Sequence, residues 1–221
     1  MVGAGRSLGL FLSGFMLAWS LRATWLYSID EAIGSEGGRL AYSALVKLAL
    51  WVLPAFAFAA RVRGAPPLRY LGIAAWPRAP EWRRAGVVIF VYLAAVAVFE
   101  WAVNARLPST GHYLSINPSL AMATLVATPV TEEVLFRGLI LQELAQLAAW
   151  PAAIALTSLA FVAVHLPHWL WREGPNLAIA ARCAGLFVFS AFAGSLYGSS
   201  RSVWPCVALH MANNALAAGW A

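Results

Sequence analysis

Glu132, Glu133 and Arg137 lie in the run Thr131-Glu132-Glu133-Val134-Leu135-Phe136-Arg137, inside a longer apolar stretch. Glu133 and Arg137 are four apart, so on a helix they share a face and can pair. Glu132 points about 100° away on a 3.6-residue turn, which leaves it free to face a cavity. Two further markers follow. In Phe161-Val162-Ala163-Val164-His165, Phe161 lies one turn before His165 and can wall its imidazole. His210 and Asn214 are four apart and share another face, with Asn213 off it. Carboxylate and imidazole groups can relay protons. The plain alternative is a buried ion pair, a protonated glutamate and hydrogen-bonded core histidines that hold helices together. Charge inside hydrocarbon costs on the order of several kcal/mol per group. Three separate segments that each carry such groups are most economically explained by one shared polar cavity.

The segments that must position these groups are set by composition. The chain has 221 residues, of which 62% are hydrophobic and 11% charged. A soluble domain has about 45–50% apolar and about 25% charged residues. Mean hydropathy is +0.72, so the apolar excess is general. These values exclude a disordered chain, a disulfide scaffold and an ordinary soluble enzyme. Apolar runs suggest spans near residues 8–27, 40–60, 85–103, 119–147, 151–171, 177–197 and 203–220. Continuous runs favour helices over the alternating segments of about ten residues in a membrane barrel. The expected fold is therefore all-α: a polytopic integral membrane bundle of about seven to eight transmembrane helices, with residues 1–221 forming one membrane domain. Pro129 should kink the fourth helix just before the charged cluster. Pro167 makes a regular helix across His165 and His168 doubtful, which weakens those two as a metal pair.

Charge is unevenly placed. Arg61, Arg63, Arg69, Arg78, Arg83 and Arg84 face one acid, Glu81, so residues 61–84 carry +5 of the net +6. The positive-inside rule makes this loop cytoplasmic, with anionic lipid headgroups as its partners rather than nucleic acid. Alternation then puts the N-terminus inside and the C-terminus outside. Arg6 before the first apolar run could suggest a signal peptide, but no clean cleavage site follows, and a retained helix is expected. Cys183 and Cys206 fall in apolar stretches and are expected to be core thiols. Arg22, Lys47 and Glu100 lie near the ends of their spans or within snorkelling reach, so their heads are expected to reach the interface. His112 has no firm role.

The ordered motifs EExxxR, FxxxH and HxxxN resemble the CPBP intramembrane proteases, the CAAX-prenyl-endopeptidase and bacteriocin-processing (Abi) type. In this chain they read Glu132 to Arg137, Phe161 to His165, and His210 to Asn214. The resemblance covers roughly residues 119–220, a CPBP-like catalytic core, and leaves 1–118 as N-terminal helices with the basic loop. It implies that Glu132 activates the attacking water and that His165 assists it. It further implies that His210 and Asn214 stabilise the oxyanion, and that Glu133, Arg137 and Phe161 support the site or contact substrate. The chain has no HExxH, so a glutamate mechanism with no cofactor is favoured over zinc held by Glu132, His165 and His210.

The expected function is an intramembrane endopeptidase in a bacterial inner membrane. Its substrate would be a membrane-associated peptide or protein: a C-terminal sorting tail, a leader or bacteriocin precursor, or a CAAX-like end. The alternative is a non-enzymatic transporter, immunity factor or scaffold whose buried charges act as a relay or as structural glue. Transporters often show repeats. No repeat is visible here, and the polar groups concentrate in the C-terminal half.

Overall fold

Helix is the only regular structure among the described residues, which in the computed structural model are 2–105 and 122–218. His112, residues 119–121 of the expected fourth span and residues 219–220 of the last lie outside them. The elements are α1 (Val2–Ala23), α2 (Tyr27–Ala32), α3 (Glu36–Val62), α4 (Pro67–Tyr70), α5 (Ala79–Asn104), α6 (residues 122–144), α7 (Trp150–Ala163), α8 (Leu166–Glu173), α9 (Leu177–Ser200) and α10 (Trp204–Ala218). Among the described residues, four stretches are long and apolar enough to cross a membrane: α3, α5, α7 with α8 (Trp150–Glu173), and α9.

Local signals account for the helix starts. The Ser35 hydroxyl accepts from the Gly38 amide at 3.1 Å and caps α3, and Asn176 accepts from the Ile179 amide at 2.9 Å and caps α9. Side-chain acceptors at this position satisfy amides that have no partner inside the helix. Pro80, Pro151 and Pro167 lie in the first turns of α5, α7 and α8, where a missing amide hydrogen costs nothing. The first span starts earlier than residue 8 and ends at Ala23, because the chain turns at Thr24–Leu26.

The bundle is centred on α6. Every residue from Glu132 to Leu141 is buried. A helix covered on all sides belongs in the middle of a bundle. α5 is its opposite: only Ala85 and Tyr92 are buried, while Val87, Phe90, Val98 and Phe99 face outward. Such an apolar outer surface suits lipid. Pro129 does not end α6. Wide π-type turns at Met122–Ala127 and Val134–Leu141 flank the regular turn Thr128–Glu133, so the missing amide falls near a change of winding. The Thr131 hydroxyl donates to the Ala127 and Thr128 carbonyls at 2.9 and 3.0 Å, which helps satisfy the backbone there.

The segment after α4 packs directly on α6. A Cβ on Gly138 would stand 2.6 Å from the Leu71 carbonyl oxygen, so only glycine allows this approach. Beside it, Arg63 and Tyr70 both donate to the buried Glu143 carboxylate, with the Arg63 Nε bond at 2.7 Å. Burial pushes the Tyr70 phenol up from its ordinary pKa, and its bond to Glu143 adds to the rise. The bond to Glu143 likewise raises Arg63. One arginine of the basic loop is thus anchored in the bundle, while Arg61, Arg69, Arg78, Arg83 and Arg84 are exposed. Gly138→Ala is expected to destabilise the protein by about 1–3 kcal/mol, because backbone rather than a flexible side chain must move. A lowered midpoint of thermal unfolding in detergent checks this.

Candidate active site

Glu133 and Arg137 pair at 2.9 Å with both side chains fully buried. Arg137 also donates to the Ser190 carbonyl at 3.0 Å and to its hydroxyl at 2.9 Å, which ties α6 to α9. The guanidinium lies over the rings of Phe161 and Phe189, 5.0 and 5.7 Å from their centroids. Cation–π contacts of this kind gain strength when desolvated. His210 Nδ1 stands 2.7 Å from Glu133 Oε1, so α10 joins the same centre. Its ring packs edge-on against Phe189, with centroids 4.8 Å apart.

Glu132 faces the other way. Its Oε1 accepts from Lys47 Nζ at 2.8 Å, and its Oε2 is 3.9 Å from His210 Nε2. Lys47 also donates to the Thr128 hydroxyl at 3.1 Å and lies over the Trp51 ring. Glu132, Lys47 and His165 line a cavity of about 400 Å³, which extends past Ser43 toward Arg39 and Arg22. His165 is half-buried beside Phe161: its Nδ1 is 2.8 Å from the Phe161 carbonyl oxygen, and the ring centroids are 5.1 Å apart.

The helix break that Pro167 foreshadowed separates α7 from α8. His165 sits at the N-terminal end of α8. The interruption frees backbone carbonyls, and Trp19 Nε1 reaches across from α1 to donate to the Val164 oxygen at 2.8 Å. His168 packs against Tyr27 and lines the same cavity.

Asn214 is tied across to the first turns of α6. Its amide donates to the Thr124 carbonyl at 2.9 Å, and neither it nor His210 lines the cavity. Asn213, off that face, accepts from Tyr92 at 2.7 Å. Two interfacial readings are corrected. Lys47 is folded inward because a buried carboxylate needs a counter-charge. Arg22 is buried against Asp30 at 2.6 Å and over Tyr42 rather than extended outward. Glu100 is held near its helix end by the amide of Asn104 at 2.6 Å. Lys47 was legible only as a cation about two turns inside an apolar run, with Trp51 one turn further on.

The site residues do not fit a metal as they are placed. Among the described residues, no three His, Cys, Asp or Glu side chains are grouped as ligands. Lys47 occupies one Glu132 oxygen, and His210 Nδ1 is turned to Glu133. Both cysteines are free thiols, Cys206 buried and Cys183 partly so.

Residues 115–216 match a family described as type II CAAX prenyl endopeptidase Rce1-like. The similarity is confined to this segment. The matched segment contains all three polar motifs, and the match together with four helices apolar enough to cross a membrane supports an integral membrane protein similar to that protease family. Neither a curated protein nor a solved structure matches the chain. Lys47, Trp51 and Arg22 lie outside the matched residues, yet they complete the cavity wall.

Arg137→Met would leave Glu133 buried without its cation. Breaking a buried pair in this way costs about 3–5 kcal/mol. The expected outcome is a large loss of thermal stability in detergent, most of it restored by the double change Glu133→Gln with Arg137→Met.

Proposed function

We propose that the chain is an intramembrane endopeptidase in which Glu132 activates water for attack on a peptide bond. The observation that carries this reading is the shared cavity wall of Glu132 and His165, contributed by two different helices. Hydrolysis needs a base within reach of water and a group to pass protons onward. Glu132 takes the water proton, and His165, across the same cavity, assists the transfers. Glu133, Arg137 and His210 hold the Glu132 backbone and its neighbours from behind, and Phe161 walls His165. The substrate is a membrane-associated chain: a C-terminal sorting tail, a leader or bacteriocin precursor, or a CAAX-like end. The reaction proceeds without a resident metal.

The architecture we propose is a single membrane domain of seven to eight transmembrane helices, in a bacterial inner membrane. α1 with 22 residues and the residues of α6 add to the four clear spans. α10 has 15 described residues, roughly 22 Å at 1.5 Å each, which crosses most of an about 30 Å hydrocarbon layer. The exposed arginines of the 61–84 loop support a cytoplasmic side facing anionic headgroups.

Glu132→Gln keeps the shape of the side chain and removes the base. It is expected to lower cleavage of membrane-anchored peptides in liposomes by about 10²–10⁴-fold, with the helical circular-dichroism signal unchanged. Full activity in this variant overturns the reading. Cleavage by the unaltered protein is expected to persist after treatment with a strong chelator.

A further inference from the structure

The cavity wall is electrically uneven. Among the described residues lining it, three are cations, Arg22, Arg39 and Lys47, and two are acids, Asp30 and Glu132. Lys47 is matched by Glu132 at 2.8 Å and Arg22 by Asp30 at 2.6 Å. Arg39 is exposed, and its Nη1 donates to a neutral acceptor, the Ile33 carbonyl, at 3.1 Å. A guanidinium has five N–H donors in a fixed fork. In the same wall, Arg22 Nε is buried without an acceptor. The end of the cavity toward Arg39 and Arg22 therefore carries more donors and positive charge than its own acids answer. That balance suits a ligand that brings one negative charge on two oxygens. Spacing connects this end to Glu132. Arg39, Ser43 and Lys47 recur every fourth residue on α3 and line the cavity together. At 1.5 Å per residue, Arg39 lies about 12 Å along the axis from Lys47. An extended peptide covers that distance in about three to four residues.

We infer that Arg39 is a specificity-determining residue that holds the C-terminal carboxylate of the substrate, so that chains with a free end close to the cut bond are preferred. The inference rests on the endopeptidase reading above and narrows its substrate class. C-terminal tails and CAAX-like ends fit, whereas a leader cut far from the end of its precursor does not. The fork of Arg39 meets the two carboxylate oxygens in paired N–H···O bonds. A peptide carboxylate suits the site better than a lipid phosphate, because the same ligand must also present a peptide bond to Glu132. Arg39 takes no part in the proton transfers. It lies outside the matched family segment, so this selection belongs to the N-terminal helices.

The test uses the full chain in detergent with an acyl-anchored, internally quenched peptide ending in three alanines. The peptide is made in two forms, one with a free C-terminal carboxylate and one with a C-terminal amide. The unaltered protein is expected to cleave the acid with a kcat/KM about 10–100-fold above that for the amide, the range for losing a charge-assisted hydrogen bond. Arg39→Gln is expected to bring this ratio below about threefold. A structural defect in the variant would lower both rates and keep the ratio. A ratio under tenfold in the unaltered protein, or over threefold in Arg39→Gln, overturns the inference. A lipid phosphate on Arg39 would make acid and amide equivalent and so gives the first of these outcomes. If neither form is cleaved, or if Glu132→Gln cleaves both at the full rate, the endopeptidase reading fails instead. Binding then decides the inference without turnover. Trialanine and its amide are titrated against the tryptophan fluorescence of the unaltered protein, since Trp19, Trp51 and Trp169 line the cavity. The acid is expected to bind at least tenfold more tightly than the amide, and Arg39→Gln to lose that preference. A smaller preference in the unaltered protein, or the same preference in the variant, overturns the inference.

Discussion

The rest of the bundle is organised around the buried ion pair of Glu133 and Arg137. A guanidinium in a hydrocarbon interior is tolerated only when its charge is balanced and its donors are met. Arg137 meets most of that condition, with its charge balanced and both terminal nitrogens bonded while Nε is left without a partner, by drawing in four helices: its own carboxylate partner on α6, Ser190 and Phe189 on α9, Phe161 on α7 and, through Glu133, His210 on α10. Each contact serves the electrostatic requirement and fixes a helix at the same time. The packing of Trp51 on Phe136, Phe136 on Phe161 and Phe161 on Phe189 continues this centre into an aromatic core.

The second carboxylate has the opposite environment because of a one-residue offset. Glu133 is enclosed by protein, and Glu132 meets a cavity whose outer wall is supplied by the N-terminal helices. Adjacent residues of one chemical type thus have different surroundings: one holds the helices together and the other lines the cavity. The N-terminal half completes the cavity, since Trp19, Arg22, Lys47 and Trp51 line it. The Leu71 contact on Gly138 and the Glu143 anchor secure the intervening loop to the far end of α6.

What was legible in the sequence is what local spacing controls. A four-residue separation gave the Glu133–Arg137 pair, the same separation placed Phe161 against His165, and Pro167 marked the break between α7 and α8. Composition was enough for an all-helical membrane protein. The partners of Lys47, Arg22 and Asn214 were not legible, because they are decided by which helices become neighbours. Lys47 reaches Glu132 across 85 positions of sequence, and Asn214 reaches Thr124 across 90. No periodicity within α3 or α10 encodes those meetings. Near a helix end, the same cation can extend to an interface or turn inward, and a buried carboxylate on another helix decides between the two.

The broken helix at α7–α8 has a consequence for how stability is distributed. At the centre, Arg137 and Glu133 are fully buried, so separating them exposes charge to a medium that cannot solvate it. At the rim, the turn before α8 is held to the N-terminal helices by the Trp19–Val164 bond, and α8 itself by the Tyr27–His168 stack and an exposed Arg172–Glu31 pair. Exposed pairs are screened and contribute little. Cooperative units with fewer buried contacts open at lower free energy than the core they cover. The molecule therefore has a graded interior, firm around Arg137 and progressively looser toward the mouth of the cavity. Opening at that edge would cost less free energy than separating the central charges.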